Sequence, residues 1–193
     1  MSGAFDRSIF DEPDSLEASA PKKKFKVAPT FVIDLVISAL FILAVLPTWR
    51  ASIALSLGVD LVSLGLGLAI CACYVAKVVV VSHLDRRGGD ARAYVKSSAL
   101  VTDGPYGWSR HPTYAVAMLQ FLLWSALALF LQAFTPWNPL MLAAAIALPV
   151  AFYWINDRVV MPTEEAMLRN LHPEEFDAYA RKVRRWFGRY RSA

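Results

Sequence analysis

Cysteine is scarce in this sequence: Cys71 and Cys73 are the only two among 193 residues. Their i, i+2 spacing inside an apolar run places them on different faces of a helix, so we predict neither a mutual disulfide nor a shared metal ion. An apolar leader is also lacking, because residues 1–26 are polar and of mixed charge. We therefore predict a mobile N-terminal tail rather than a signal peptide.

Apolar residues, by contrast, are abundant and occur in long runs. They make up 56% of the chain, above the roughly 45–50% of a soluble domain. Runs of about 18 or more such residues with few charges are typical of membrane spans. We predict an all-α integral membrane bundle over residues 27–193, with about four transmembrane helices and a cytoplasmic C-terminal amphipathic helix. The four runs are 30–46, 53–82, 114–134 and 139–160.

The distribution of lysine and arginine predicts the orientation. The N-terminal tail, the 83–113 loop and the segment after the fourth run are all basic, whereas only Arg50 falls on the opposite side. The positive-inside rule then places both termini and the long loop in the cytoplasm. It also accounts for the net charge of +4 without nucleic-acid binding. Within the runs, Asp34 and Lys77 are predicted to form an ion pair, because a lone charge in lipid is costly.

The segment "GPYGWSRHPTY", residues 104–114, stands at the entrance of the third run. Pro112 suits the first turn of a helix, which leaves Arg110 and His111 at its N-terminus. Exposed N–H groups together with an arginine bind an anionic group such as a carboxylate or phosphate. The simpler alternative is an interfacial arginine and histidine beside an aromatic belt formed by Tyr106 and Trp108.

A second polar segment follows the fourth run. Thr163 is predicted to cap a helix whose first turn carries Glu164 and Glu165. Because the fourth span returns these carboxylates to the side of Arg110, we expect the two segments to line one pocket at the membrane edge. Its residue types suit a zwitterionic cofactor with hydroxyl groups: a cation for its carboxylate, and carboxylates for its amine and hydroxyls.

The last part of the chain has helical spacing of apolar residues between arginines and lysines. This pattern predicts an amphipathic helix from Pro173 that lies on anionic lipid. Closure of the pocket is a second role open to the same helix. The apolar positions are Phe176, Tyr179, Ala180, Val183 and Phe187.

These two segments together resemble the isoprenylcysteine carboxyl methyltransferase family and its phospholipid methyltransferase relatives. The likeness covers residues 94–187 and follows a pattern of L-x-x-x-G-P-Y-x-x-x-R-H-P-x-Y, an apolar hairpin, E-E-x-x-L and F-x-x-Y. The matching residues are Leu100, Gly104, Pro105, Tyr106, Arg110, His111, Pro112, Tyr114, Glu164, Glu165, Leu168, Phe176 and Tyr179.

The resemblance implies S-adenosylmethionine as cofactor and a lipophilic acceptor that enters from the bilayer. It implies His111 and Arg184 as candidates for a catalytic role. The residues that it implies for cofactor binding are Leu100, Gly104, Tyr106, Arg110, His111, Tyr114, Glu164 and Glu165.

The short chain favours a bacterial or archaeal plasma-membrane protein over an enzyme for prenylated proteins. An isoprenoid-like carboxylate, a phospholipid amine and a small thiol all remain as acceptors. A carboxylate is already nucleophilic, whereas an amine or thiol must first lose a proton, which His111 or a glutamate would accept. The alternatives are a non-catalytic scaffold or small transporter, and a nicotinamide-dependent membrane reductase.

Overall fold

The structure, a computed structural model, describes residues 35–36, 38–39, 57–89, 99–134 and 137–190. These residues form helices and no β-strand, apart from one isolated bridge between Val183 and Arg189. The elements are α1 (Leu57–Arg86), a 3₁₀ helix (Gly104–Gly107), α2 (Pro112–Gln132), α3 (Pro139–Ile155), a π-helix (Asn156–Val160), α4 (Met161–Leu171) and α5 (Pro173–Lys182).

Three helical segments in the described residues are long and apolar enough to cross a membrane: Leu61–Arg86, Pro112–Gln132 and Pro139–Leu171. The predicted all-α membrane bundle is thereby confirmed. The predicted span 30–46 lies largely outside the described residues, and so does Asp34, the predicted partner of Lys77.

Helices α2 and α3 pack side by side, as the short connection between them predicts. Asn138 caps α3 by accepting from the N–H groups of Leu140 and Met141 at 3.1 and 3.3 Å. Deeper in the bundle, the Ser125 hydroxyl donates to the Ala145 carbonyl at 2.6 Å. Around this contact lies the main apolar core, which also takes in α1 and consists of Ile70, Phe121, Trp124, Leu127, Ala128, Leu131, Met141 and Ala145.

The fourth span does not end where the sequence predicts. Helix α3 continues through the π-helix into α4, so Thr163 lies inside a continuous rod, where its hydroxyl donates to the Val159 carbonyl at 2.7 Å. The prediction that Thr163 caps a new helix is therefore wrong. Pro162 has no N–H to donate, and the wide π turn carries the chain up to it without a break.

The predicted amphipathic helix is shorter than expected and faces protein. Helix α5 ends at Lys182, and the chain reverses near Gly188, whose φ is +83°. Phe176, Tyr179 and Val183 are buried in one cluster, against which Leu100, Leu168 and Ala180 pack. The prediction that Phe176, Tyr179 and Val183 face lipid is wrong, because they find apolar partners inside the protein, whereas Phe187 of the same stripe is exposed.

Candidate functional site

The entrance of α2 has the predicted arrangement. His111 is its N-cap residue and Pro112 occupies the first turn. The Ser109 hydroxyl oxygen accepts the His111 N–H at 3.1 Å, so the residue before the helix is held by a buried side chain. Arg110 and His111 therefore stand at the positive end of α2, as the sequence predicts.

The two polar segments meet. The Tyr114 hydroxyl donates to Glu164 Oε1 at 2.8 Å, and His111 Nε2 lies 3.2 Å from Glu165 Oε1. The guanidinium of Arg110 approaches the same Glu165 oxygen at 3.4 Å. Residues about 50 positions apart in the chain thus form one connected cluster at the junction of α2 and α4. The two segments therefore meet as predicted, and that they line a cofactor pocket stays a prediction.

Both ring nitrogens of His111 face carboxylates, because Nδ1 lies 3.4 Å from Glu164 Oε2. A neutral imidazole would turn a lone pair toward one of these anions, whereas an imidazolium donates to both. Burial by itself lowers the pKa of His111, but the hydrogen bonds and charges of Glu164 and Glu165 outweigh it, so the pKa is raised above its usual value. The geometry therefore favours the charged ring.

Arg185 completes the cluster, and sequence reasoning missed it. Its Nε and Nη2 atoms donate to Glu165 Oε1 and Oε2 at 3.0 and 2.9 Å. Asp157, in the π-helix, lies 3.6 Å from the same guanidinium and accepts from Trp186 Nε1 at 2.9 Å. We call Arg110, His111, Tyr114, Asp157, Glu164, Glu165 and Arg185 the polar cluster.

The sequence places Arg184 and Arg185 side by side in one basic segment and does not show which of them faces the carboxylates. Arg184, which the resemblance offered as a candidate, is exposed, and its guanidinium lies over the Tyr190 ring at 5.3 Å from the centroid. Its backbone carbonyl accepts the Arg110 N–H at 3.0 Å. Only one arginine of the pair, Arg185, therefore reaches the carboxylates.

Residues 183–190, which we call the C-terminal strap, lie along the loop before α2. Besides the Arg184 contact, the Gly188 N–H donates to the Trp108 carbonyl at 2.8 Å, and Arg189 Nε donates to the Gly107 carbonyl at 2.8 Å. The strap thereby fixes the backbone of the segment that presents Arg110.

Of the remaining predicted residues, Tyr106 lies near the polar cluster, whereas Gly104 lies against the His83 ring. Tyr106 follows Gly104 in the 3₁₀ helix, and its carbonyl accepts from the Tyr179 hydroxyl at 2.7 Å. Burial raises the pKa of the Tyr106 phenol, which therefore stays neutral. Leu100 is not in the polar cluster, since it packs against the buried apolar group that includes Phe176.

Comparison with family models matches residues 64–170 to the isoprenylcysteine carboxyl methyltransferase (ICMT) family. Neither the comparison with curated proteins nor that with solved structures gave a match. The matched range is more than half of the chain and contains both the α2 entrance and the glutamate pair. The three long apolar helices agree with a membrane protein. The chain is therefore a member of the isoprenylcysteine carboxyl methyltransferase family of membrane methyltransferases.

Proposed function

We propose that this protein transfers a methyl group from S-adenosylmethionine to a lipophilic acceptor at the membrane edge. The observation that carries the proposal is the contact of Arg110, His111 and Tyr114 with Glu164 and Glu165. Methyl transfer from a sulfonium needs alignment and exclusion of water more than side-chain chemistry. A rigid polar cluster bounded by apolar helices supplies both.

The residues present fit this cofactor at one point in particular. The Nε atom of Arg110 is buried and has no hydrogen-bond partner among the described residues. A buried donor of this kind is costly unless a ligand pairs with it. Arg110 would hold the cofactor's carboxylate, and the Tyr106 and Tyr114 side chains lie on the same side of the bundle. When bound, the cofactor supplies an activated methyl group.

Glu165 has a different part from the one that the resemblance implies. Arg185 occupies both of its oxygens, and His111 and Arg110 approach Oε1 as well. A carboxylate accepts about four hydrogen bonds, so little of Glu165 remains for a ligand. We infer that it orients Arg110 and His111, and that Glu164 is the better candidate for direct contact.

The protonation state of His111 limits which class of acceptor the site can methylate. An imidazolium held between two carboxylates has no lone pair with which to take a proton from an amine or thiol. This favours an acceptor that is nucleophilic without deprotonation, namely the isoprenoid-like carboxylate, over a phospholipid amine or a small thiol. We infer that the acceptor reaches the site from the bilayer, because the apolar rod α3 leads directly to the π-helix beside the polar cluster.

We also propose that both termini lie in the cytoplasm, that the protein resides in a bacterial or archaeal plasma membrane, and that it contacts membrane lipids. The exposed guanidinium of Arg158 lies in the π-helix, directly after α3, and follows the positive-inside rule. Exposed Tyr153 and Trp154, one turn earlier, match the aromatic belt of a membrane interface.

Titration of the purified protein with S-adenosylhomocysteine tests the proposal. We expect saturable binding that Arg110→Ala weakens by about 1–3 kcal/mol, as for a lost charge-assisted hydrogen bond, and that Glu165→Ala also weakens, because Arg110 and His111 lose the carboxylate that orients them. Arg181→Ala, on the exposed side of α5, is the matched control and should bind like the parent protein.

Equal binding by all three folded variants would contradict the site, and no binding by the parent protein would favour a scaffold, a transporter or a nicotinamide-dependent reductase. Labelled cofactor incubated with a membrane lipid extract then identifies the acceptor. Label in a base-labile ester is the result expected for a carboxylate, whereas label in an amine or thioether would contradict that choice.

A further inference from the structure

A second group of charged side chains lies away from the polar cluster, where the end of α1 meets the 3₁₀ helix. Asp103 is the N-cap residue of that helix, yet its side chain makes no capping hydrogen bond. Aspartate at this position ordinarily accepts from the N–H groups of the first turn. Here the carboxylate faces α1 instead: Oδ1 lies 3.2 Å from His83 Nε2, and Oδ2 pairs with Arg87.

The adjacent residue meets the same histidine ring. Gly104 has φ +54°, and a Cβ built on it would lie 2.7 Å from His83 Cε1 and 2.8 Å from Nε2. The ring therefore occupies the space that any other residue would fill with its side chain. Two neighbouring contacts, one polar with Asp103 and one steric with Gly104, fix the ring of His83 against this loop.

This loop leads directly to Tyr106. The Tyr106 N–H donates to the Asp103 carbonyl at 3.1 Å, and its hydroxyl is hydrogen-bonded to Thr113 in the first turn of α2. A shift of Asp103 relative to α1 would thus move the backbone of Tyr106. The same shift would pass to Arg110, four residues further along.

We propose that His83 and Asp103 are positioning residues, which hold the loop 104–110 so that Tyr106 and Arg110 face the cofactor. The proposal rests on the proposed function. Neither residue is a specified position of the L-x-x-x-G-P-Y and R-H-P-x-Y pattern. The Asp103 carboxylate thus contacts two side chains of α1 rather than its own helix.

Titration with S-adenosylhomocysteine tests the pair in the full-length protein. His83→Ala is expected to weaken binding about tenfold, the effect of one lost charge-assisted hydrogen bond, and Asp103→Ala at least as much, because it also removes the ion pair with Arg87. The double variant should lose little more affinity than Asp103→Ala alone. His83→Gln keeps an amide donor and should restore most of the affinity.

Arg86→Ala is the control, since Arg86 is exposed and donates to Ser82 within its own helix at 3.1 Å. In turnover, we expect the KM for the cofactor to rise in His83→Ala while kcat at saturation stays near the parent value. A merely structural role would instead lower the folded fraction and leave KM unchanged. Unchanged affinity in His83→Ala, or strictly additive losses in the double variant, would overturn the proposal.

Hydrogen exchange without ligand separates this proposal from the proposed function. Backbone amides of residues 104–110 should exchange faster in His83→Ala than in Arg86→Ala, whether or not the protein binds the nucleoside. If the parent protein fails to bind, the proposed function fails, and equal exchange rates in the two variants would still overturn the role of His83. Faster exchange with unchanged affinity would also overturn it.

Discussion

Arg185 grips Glu165 through two parallel hydrogen bonds, Nε to Oε1 at 3.0 Å and Nη2 to Oε2 at 2.9 Å. A guanidinium can form two parallel hydrogen bonds with one carboxylate, whereas the ammonium of lysine cannot, because all its donors are on one nitrogen. This contact joins the C-terminal strap to the glutamate that orients the α2 entrance.

Arg185→Ala is therefore expected to destabilise the protein by about 2 kcal/mol, because it leaves a largely buried carboxylate with fewer donors. Arg185→Lys should recover part of this loss. Thermal unfolding in one detergent measures the effect. The neighbouring Arg184→Ala is the control and should lie within about 0.5 kcal/mol of the parent protein, as for an exposed residue. An equal loss in both variants would show that the two parallel hydrogen bonds have no special role.

The charged state of His111 makes stability depend on pH. Its pKa in the folded protein is raised above 6.5 by Glu164 and Glu165, against the effect of burial. A group whose folded pKa is raised contributes stability that is fully present below the unfolded pKa and is lost as pH rises through the folded pKa. The Tm difference between the parent protein and His111→Gln should therefore shrink above about pH 6.5. A Tm difference that stays constant into the alkaline range would contradict the claim that His111 is charged in the folded protein.

Two glycines with positive φ offer a matched pair. At Gly104 an alanine would meet both backbone strain and the ring of His83, whereas at Gly188 the space is open and only strain remains. Strain of this kind costs about 1–2 kcal/mol. We expect Gly104→Ala to lower Tm more than Gly188→Ala. Equal shifts would mean that the ring of His83 moves aside without cost.

The hydroxyl of Tyr114 links α2 to α4 through Glu164 Oε1 at 2.8 Å. Tyr114→Phe removes this donor and is expected to cost about 1 kcal/mol of stability. It should also weaken S-adenosylhomocysteine binding, because Glu164 then keeps, among the described residues, only its contact with His111. Tyr190→Phe, at a half-exposed ring on the strap, is the control. Loss of stability without any change in affinity would remove Glu164 from the cofactor site.

The spans and the meeting of the two motifs were predictable because both follow from local patterns. Long apolar runs must cross the bilayer. Because α2 and α3 cross in opposite directions, the chain after α3 brings Glu164 and Glu165 back to the level of Arg110. The aspects that failed depend on tertiary contacts. Thr163 looked like a cap because a π turn leaves no signature in spacing, and the stripe headed by Phe176 looked lipid-facing because its protein partner, Leu100, is distant in sequence.

The choice of Arg185 over Arg184 was also beyond the sequence. Which of two adjacent arginines turns inward depends on how the strap meets the loop before α2, a contact that includes the Arg110 N–H to Arg184 carbonyl hydrogen bond. The contact between Asp103 and His83 could not be predicted either, since the position of Asp103 before Gly104 suggests only a turn.

Helix α3, the π-helix and α4 form one unbroken rod from Pro139 to Leu171. Its first half exposes the apolar side chains of Ile146 and Val150, and its last turns carry both glutamates, so a change in the tilt of the rod would also move the glutamates. Spans answer a change in bilayer thickness by tilting. We therefore expect bilayer thickness to change the angle at which the acidic pair meets the entrance of α2.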